Sequence, residues 1–212
     1  NLGMTALLMS QTASVVHAFE AVPSTHELLS RNVATEPNIV AHPYGLGDQP
    51  GTATITRDVN NRSGAFLGAT TLPEGHASEL AQISTLDAAA SLLGPDERLG
   101  LIKIDVEGFE LQVLRGGRAL LAAQQPAVLL EMNHWCLNAF QRTSIPDFLD
   151  ELTATFPCLY ALDDRTGQVA DLHDPGAAFG VMHEHIVRFR FMTVLGCYDR
   201  GQAVPVLQAA EA

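Results

Sequence analysis

The chain has 212 residues, of which 47% are hydrophobic and 17% charged, so it is long and apolar enough to bury one sizeable core. Its 24 acidic residues outnumber its 12 basic ones, and the formal net charge of -12 argues against a nucleic-acid partner, whose binding needs clustered Lys and Arg. No apolar stretch approaches the roughly 18 uncharged residues that span a bilayer, so we expect no membrane segment.

The three cysteines, Cys136, Cys158 and Cys197, lie far apart and form no CxxC pair. This spacing argues against a disulfide framework and against a structural zinc site. It is typical of a reducing compartment, where free cysteines behave as small buried hydrophobic residues. We therefore predict a cytoplasmic protein.

Helical and strand patterns alternate along most of the chain. In chain order they predict a helix over residues 2–10, a strand over 14–20, a helix that Ser24 and Glu27 open as a capping box, and a strand over 38–44. They next predict loops and short strands over 52–72, a helix over 86–93, a strand over 101–106, and a helix from Phe109 with a break at Gly116 and Gly117. The last predicted elements are a strand over 127–132, a helix over 146–156 opened by Ser144 and Asp147, and strands over 159–162 and 185–192. Such alternation predicts one α/β domain over residues 1–212, with a mostly parallel sheet covered by helices on both faces.

The first informative strand exit is Glu20, because ligands of open α/β sheets bind outside the carboxyl ends of the strands. Its carboxylate can accept hydrogen bonds from both ribose hydroxyls of an adenosine cofactor. Asn1 and Gly3 open the preceding helix, and a helix entry followed by a strand that ends in an acid is the order of adenosine-binding folds. We predict that Asn1, Gly3 and Glu20 bind the cofactor, with Gly45 at the next strand exit. Alternatively, Glu20 is a solvated acid beside a helix N-terminus.

Residues 105–110 carry the densest chemical signal. Asp105 ends a buried strand, Glu107 and Glu110 lie at a helix start, and Gly108 permits close backbone approach. Three carboxylates favour a cationic ligand, and the sulfonium and ammonium groups of S-adenosylmethionine fit that demand. We predict catalytic roles for Asp105 and Glu107, cofactor contact for Asp105, and a helix-start role for Glu110. The alternative is that all three acids only stabilise the helix.

Histidines suggest two further roles. His134 follows a strand exit and is a candidate general base; the alternative is that it is a surface loop histidine beside Trp135. His183 and His185 would point to opposite faces of the predicted last strand, so we expect no metal site. On the same strand, Arg188 and Arg190 alternate with apolar residues and are interpreted as structural.

Several strings resemble the FkbM-type methyltransferases. They are NLGMT at 1–5, VHAFE at 16–20, ISTLD at 83–87, IKIDVEGFE at 102–110, VLRG at 113–116 and LLE at 129–131, so the resemblance covers roughly residues 1–133. It implies a class I methyltransferase (Rossmann-like) fold with sheet order 3-2-1-4-5-7-6, S-adenosyl-L-methionine as the cofactor, and methyl transfer to a hydroxyl of a sugar, polyketide or similar small molecule. The family's first strand and its Asp-x-Gly-Ala segment are absent before Asn1, so the chain is expected to lack them.

Two other functions remain open. A nicotinamide-dependent oxidoreductase would share the acid at Glu20, but it has no use for the acids of residues 105–110. A non-catalytic Rossmann-like domain that has lost cofactor binding is the second alternative. The sequence identifies neither the methyl acceptor nor the oligomeric state.

Overall fold

The structure is a computed structural model that describes residues 1–58, 65–67 and 76–210. The chain divides into two compact units, Asn1–Ala89 and Ala90–Ala212. The expectation of a single domain stays a prediction. Within the described residues, no helix is both long enough and apolar enough to cross a bilayer.

The described part of the first unit contains two small sheets and three helices. Its elements are α1 (Met4–Met9), β1 (Val16–Phe19), α2 (Pro23–Asn32), β2 (Ile39–His42), β3 (Gly45–Gly47), β4 (Gly51–Asp58), β5 (Ala65–Leu67), β6 (His76–Thr85) and α3 (Leu86–Ala89). Strands β1 and β2 are parallel, and the other sheet has the order β3-β6-β4-β5. The α1 and α2 helices bury Ala6, Leu29 and Val33 with Val16 and Ile39 of the β1–β2 sheet, because these apolar residues recur at helical or strand spacing.

The second unit is built on one five-stranded sheet. Its elements are β7 (Leu101–Ile104), α4 (Glu110–Arg115), α5 (Arg118–Gln124), β8 (Ala127–Glu131), α6 (His134–Gln141), α7 (Ile145–Thr155), β9 (Cys158–Leu162), β10 (Val169–Asp171), α8 (Pro175–Arg188), β11 (Thr193–Cys197) and α9 (Val204–Ala210). The strand order is β10-β9-β11-β8-β7. Only β7 and β8 are parallel in this sheet, because β11 returns between β8 and β9 in the opposite direction.

The sheets are mixed, whereas the sequence predicts a mostly parallel one. Five of the eight strand pairings among the described residues are antiparallel. Part of the difference lies in residues 52–72, which the sequence predicts as loops and short strands. The residues described in this range belong to β4 and β5. In β4, residues 51–58 pair continuously with β6. The remainder of that prediction lies outside the described residues.

The largest local error concerns residues 185–192, which were predicted as a strand. Helix α8 occupies this region up to Arg188, and the last strand begins at Thr193. The Asp174 side chain caps the helix by accepting from the Ala177 N–H at 2.8 Å. Val181 and His185 are both buried, and residues four positions apart lie on the same face of a helix. Arg188 therefore ends a helix and does not alternate with Arg190 on a strand face.

Of the two capping boxes that the sequence predicts, one is confirmed and one is wrong. Ser144 and Asp147 form the predicted capping box of α7. By contrast, α2 begins after Val22 with Pro23 in its first turn, so Ser24 is not its cap. The Ser24 hydroxyl instead donates to Glu79 of β6 at 2.6 Å.

Candidate active site

Three carboxylates converge at the carboxyl ends of β7 and β8. The two strands are parallel with Ile104 opposite Leu130, so Asp105, which follows β7, and Glu131, the last residue of β8, are neighbours at this edge of the sheet. Glu107 joins them from the turn after β7, and one oxygen of each of these three carboxylates lies within 4.8 Å of the others. This acidic cluster (Asp105, Glu107 and Glu131) can hold a cationic group or a metal ion. The sequence predicts a cationic ligand here but no metal ion.

The turn that carries Glu107 is held against helix α6. Glu107 and Gly108 both have positive φ, 53° and 97°. A Cβ at Gly108 would lie 2.8 Å from the carbonyl carbon and oxygen of Cys136, so this position has no room for a side chain. The Cys136 thiol donates to Glu107 Oε2 at 3.0 Å. Close backbone packing and this hydrogen bond together orient the Glu107 carboxylate.

Glu110 supports the same turn from below. It is only 1% exposed, and its Oε1 accepts from the N–H groups of Val106 at 3.1 Å and Gly108 at 3.2 Å. Its Oε2 is buried without a hydrogen-bond partner. Burial raises the pKa of Glu110 to about 7. Glu110 lies in the first turn of α4, as the sequence predicts, and its carboxyl group also binds the backbone on both sides of Glu107, at Val106 and Gly108.

The three carboxyl groups of the acidic cluster differ in pKa. Burial, followed by repulsion from Asp105 and a hydrogen bond to it, raises the pKa of Glu131 to about 8. Burial also acts to raise the pKa of Asp105, but the Lys103 ammonium at 2.6 Å outweighs it and the pKa of Asp105 is lowered. Burial raises the pKa of Glu107 as well. At neutral pH, Glu131 is thus a proton donor to an ionised Asp105, and a bound cation would favour ionisation of the whole cluster.

His134 lies in the first turn of α6, after Asn133, whose side chain caps the helix. Its Nδ1 is 3.2 Å from Nε2 of His185, a fully buried residue of α8. Burial lowers the pKa of His134, which keeps the ring neutral. His183 and His185 belong to a helix, and neither is part of a cluster of possible metal ligands in the described residues.

In the first unit, Glu20 lies at the end of β1, where the sequence predicts it. Its Oε1 accepts from the Val22 N–H at 2.8 Å, and its Oε2 contacts the Asn1 amino group. Gly3 has φ 93°, and a Cβ there would lie 2.9 Å from Leu29 Cδ1. A Cβ at Gly45 would lie 2.9 Å from the Ala21 Cβ.

Asn1 thus contacts Glu20. Gly3 and Gly45 both lie close to neighbouring side chains, and Gly45 packs against Ala21, the residue that follows Glu20. Rings surround the same strand ends: His42 stacks on Phe19 with centroids 4.7 Å apart and is 3.0 Å from Nδ1 of His17. The cofactor-binding roles of these residues stay predictions.

Sequence reasoning missed Glu131 and His185 as site residues. Glu131 was visible as an acid that ends an apolar run, like Asp105, and the parallel register of β7 and β8 makes the two carboxylates neighbours. His185 was hidden by the wrong strand prediction, and its partner His134 lies 51 residues away. No local pattern links the two.

Comparison with known proteins gives a consistent picture. A family model described as the methyltransferase FkbM domain matches residues 3–161. Among solved structures, the chain is similar to methyltransferase FkbM from Methylobacillus flagellatus KT, with 18% identity, a TM-score of 0.45, and coverage of 71% of this chain and 33% of that one. The chain spans about a third of the length of that protein. No curated protein matches the chain.

Proposed function

The chain belongs to the FkbM methyltransferase domain family, and from this premise we propose that it transfers a methyl group from S-adenosyl-L-methionine to a hydroxyl oxygen of a small molecule. The observation that carries the proposal is the acidic cluster at the carboxyl ends of β7 and β8. Carboxylates are suited to the positive sulfonium and ammonium groups of this cofactor. A dinucleotide pyrophosphate, by contrast, would be repelled there.

Each unit, taken by itself, carries residues whose chemistry suits this cofactor. Glu20 offers carboxylate oxygens, each with more than one lone pair, so they can accept from ribose hydroxyls besides their present partners. Asp105 is ionised through Lys103 and half exposed, which leaves it accessible to a cation. The strand order β7-β8-β11-β9 agrees with the 4-5-7-6 part of the sheet order that the family resemblance implies.

When bound, S-adenosyl-L-methionine supplies an electrophilic methyl group whose sulfur leaves as a neutral thioether. The chain must align the attacking oxygen with this methyl group and accept the proton that the hydroxyl loses. Asp105 and Glu107 orient the cationic end of the cofactor. His134, neutral because burial lowers its pKa, accepts the hydroxyl proton. Water exclusion completes the requirements for an in-line displacement.

Cofactor binding tests the proposal directly. We expect S-adenosylhomocysteine to bind the protein in a calorimetric titration, and Glu20→Ala to weaken binding by about 1 to 3 kcal/mol, roughly 5- to 150-fold, because ribose donors lose their acceptor. Glu27→Ala, which alters an exposed acid of α2 in the same unit, is the matched control and should leave the affinity unchanged.

The titration also separates the competing functions. Binding of a nicotinamide dinucleotide without binding of S-adenosylhomocysteine would favour an oxidoreductase. Failure of both to bind would favour a non-catalytic domain. Equal affinity of the wild type and a folded Glu20→Ala variant would remove Glu20 from the cofactor site while leaving the acidic cluster in place.

A further inference from the structure

Two histidines and a backbone carbonyl form a hydrogen-bonded chain in the second unit. Nδ1 of His185 lies 2.8 Å from the carbonyl oxygen of Arg190, in the segment that follows α8. Nε2 of His185 lies 3.2 Å from Nδ1 of His134 and 3.3 Å from its backbone N. His185 is 0% exposed, whereas His134 is only partly buried. The outer ring, His134, is therefore the one that can meet a ligand, and the inner ring, His185, supports it.

The positions of the protons follow from elementary hydrogen-bond chemistry. A carbonyl oxygen can only accept, so Nδ1 of His185 carries a hydrogen. Because a neutral imidazole carries one hydrogen, Nε2 of His185 holds a lone pair, which accepts from the backbone N–H of His134 at 3.3 Å and also faces Nδ1 of His134 at 3.2 Å. Two lone pairs would repel at this distance, so Nδ1 of His134 must carry a hydrogen as well. Neutral His134 is then left with its lone pair on Nε2.

The neighbouring groups keep this arrangement in place. The Phe189 ring packs on His134 with centroids 4.5 Å apart. Glu184, the acid next to His185 in sequence, is bound by Arg188 at 3.1 Å and by Arg190 at 3.0 Å. Burial lowers the pKa of His185, with a smaller contribution from His134, and so the inner ring stays neutral.

We propose that His185 is a positioning residue that holds His134 as the Nδ1–H tautomer and thereby directs the lone pair of Nε2 toward proton acceptance. In its catalytic meaning this inference rests on the proposed function. As the methyl–oxygen bond forms and the methyl–sulfur bond breaks, the hydroxyl O–H bond breaks and its proton passes to the lone pair of Nε2 of His134. The resulting imidazolium keeps its Nδ1–H hydrogen bond to His185, so no hydrogen bond in the chain has to break.

The tautomer can be measured without any ligand. Multiple-bond ¹H–¹⁵N NMR spectra of the full chain at neutral pH should show His134 with its hydrogen on Nδ1 and His185 with its hydrogen on Nδ1. A His134 hydrogen on Nε2 in the wild type would overturn the proposal, and this measurement depends on no variant. Failure of S-adenosylhomocysteine to bind would refute the proposed function while leaving the tautomer assignment intact.

Substitution adds a second, independent readout. His185→Phe keeps an apolar ring but removes the acceptor, so His134 should shift to an exchanging mixture of both tautomers. His185→Gln restores an acceptor oxygen and should restore much of the Nδ1–H signal. His183→Phe, at an exposed position of the same helix, is the control and should leave the His134 spectrum unchanged. An unchanged tautomer in folded His185→Phe would show that His185 does not position His134.

Discussion

Among the individual residues, Glu110 combines deep burial with an ionisable group. Its Oε1 serves as an acceptor for the two N–H groups of the turn between Asp105 and Phe109, while its Oε2 has no partner. A protonated carboxyl group meets this environment better than an ion does, which is why its pKa rises to about 7. Below about pH 7 the residue therefore stabilises the turn as a neutral group.

This environment predicts a pH dependence of stability. Since the pKa of Glu110 rises from 4.5 to about 7 on folding, the native state holds a proton that the unfolded state releases between these values. Its contribution is fully present below pH 4.5 and falls as the pH rises toward 7, by at most about 3 kcal/mol. In Glu110→Gln this part of the dependence should disappear in urea unfolding at pH 5 and pH 8.

Glu131, whose pKa is raised to about 8, acts in the same direction and should leave a residual pH dependence in that variant. Asp150→Asn changes an exposed acid on α7 and serves as the control. If Glu110→Gln retained the full difference in the free energy of unfolding between pH 5 and pH 8, the assignment of a buried neutral Glu110 would be wrong.

At the scale of elements, the turn after β7 and the start of α6 depend on each other. Helix α6 supplies the thiol of Cys136 to Glu107 and places its backbone against Gly108. The same helix carries His134 in its first turn. Helix α6 thus positions both Glu107 of the acidic cluster and His134.

The contact predicts a strong effect of a small substitution. Gly108→Ala places a Cβ 2.8 Å from backbone atoms of Cys136, at a φ of 97° that Ala tolerates poorly. We expect a loss of about 1 to 3 kcal/mol in the free energy of unfolding, measured by urea denaturation. Gly100→Ala is the matched control, because no atom lies within 4 Å of its added Cβ. Equal losses in the two variants would mean that α6 moves aside without cost.

At the scale of the whole molecule, charge limits the partners. The formal net charge is -12, and the 12 basic residues do not cluster in the sequence. Several of those described are already paired with acids, including Lys103, Arg115 and Arg190. A polyanion therefore meets general repulsion, whereas a cationic or neutral small molecule does not.

A binding experiment tests this view. A fluorescently labelled 20-base-pair DNA duplex should show no change in anisotropy on addition of micromolar protein at about 0.1 M salt, because affinity for DNA depends on phosphate contacts from Lys and Arg. Saturable binding that weakens as the salt concentration rises would contradict the prediction and require a basic surface that the charge distribution does not suggest.

Local patterns in the sequence determined several strands and helices and the family. The apolar runs that end in Glu20 and Asp105 predicted β1 and β7, and the capping residues Ser144 and Asp147 predicted the start of α7. The motif strings identified the FkbM family, and the family model confirmed it. These features succeed because they depend on residues only a few positions apart, where strand alternation, helix capping and turn formation are decided.

Tertiary structure decided what depends on distant residues. Only the sheet shows that β11 returns between β8 and β9, and that Glu131 lies beside Asp105. Only packing shows that Glu110 is buried and that residues 185–188 end a helix whose His185 meets His134. Burial, register and the pKa values that follow from them arise from contacts across tens of residues, and a local sequence pattern contains no information about which distant segment will supply them.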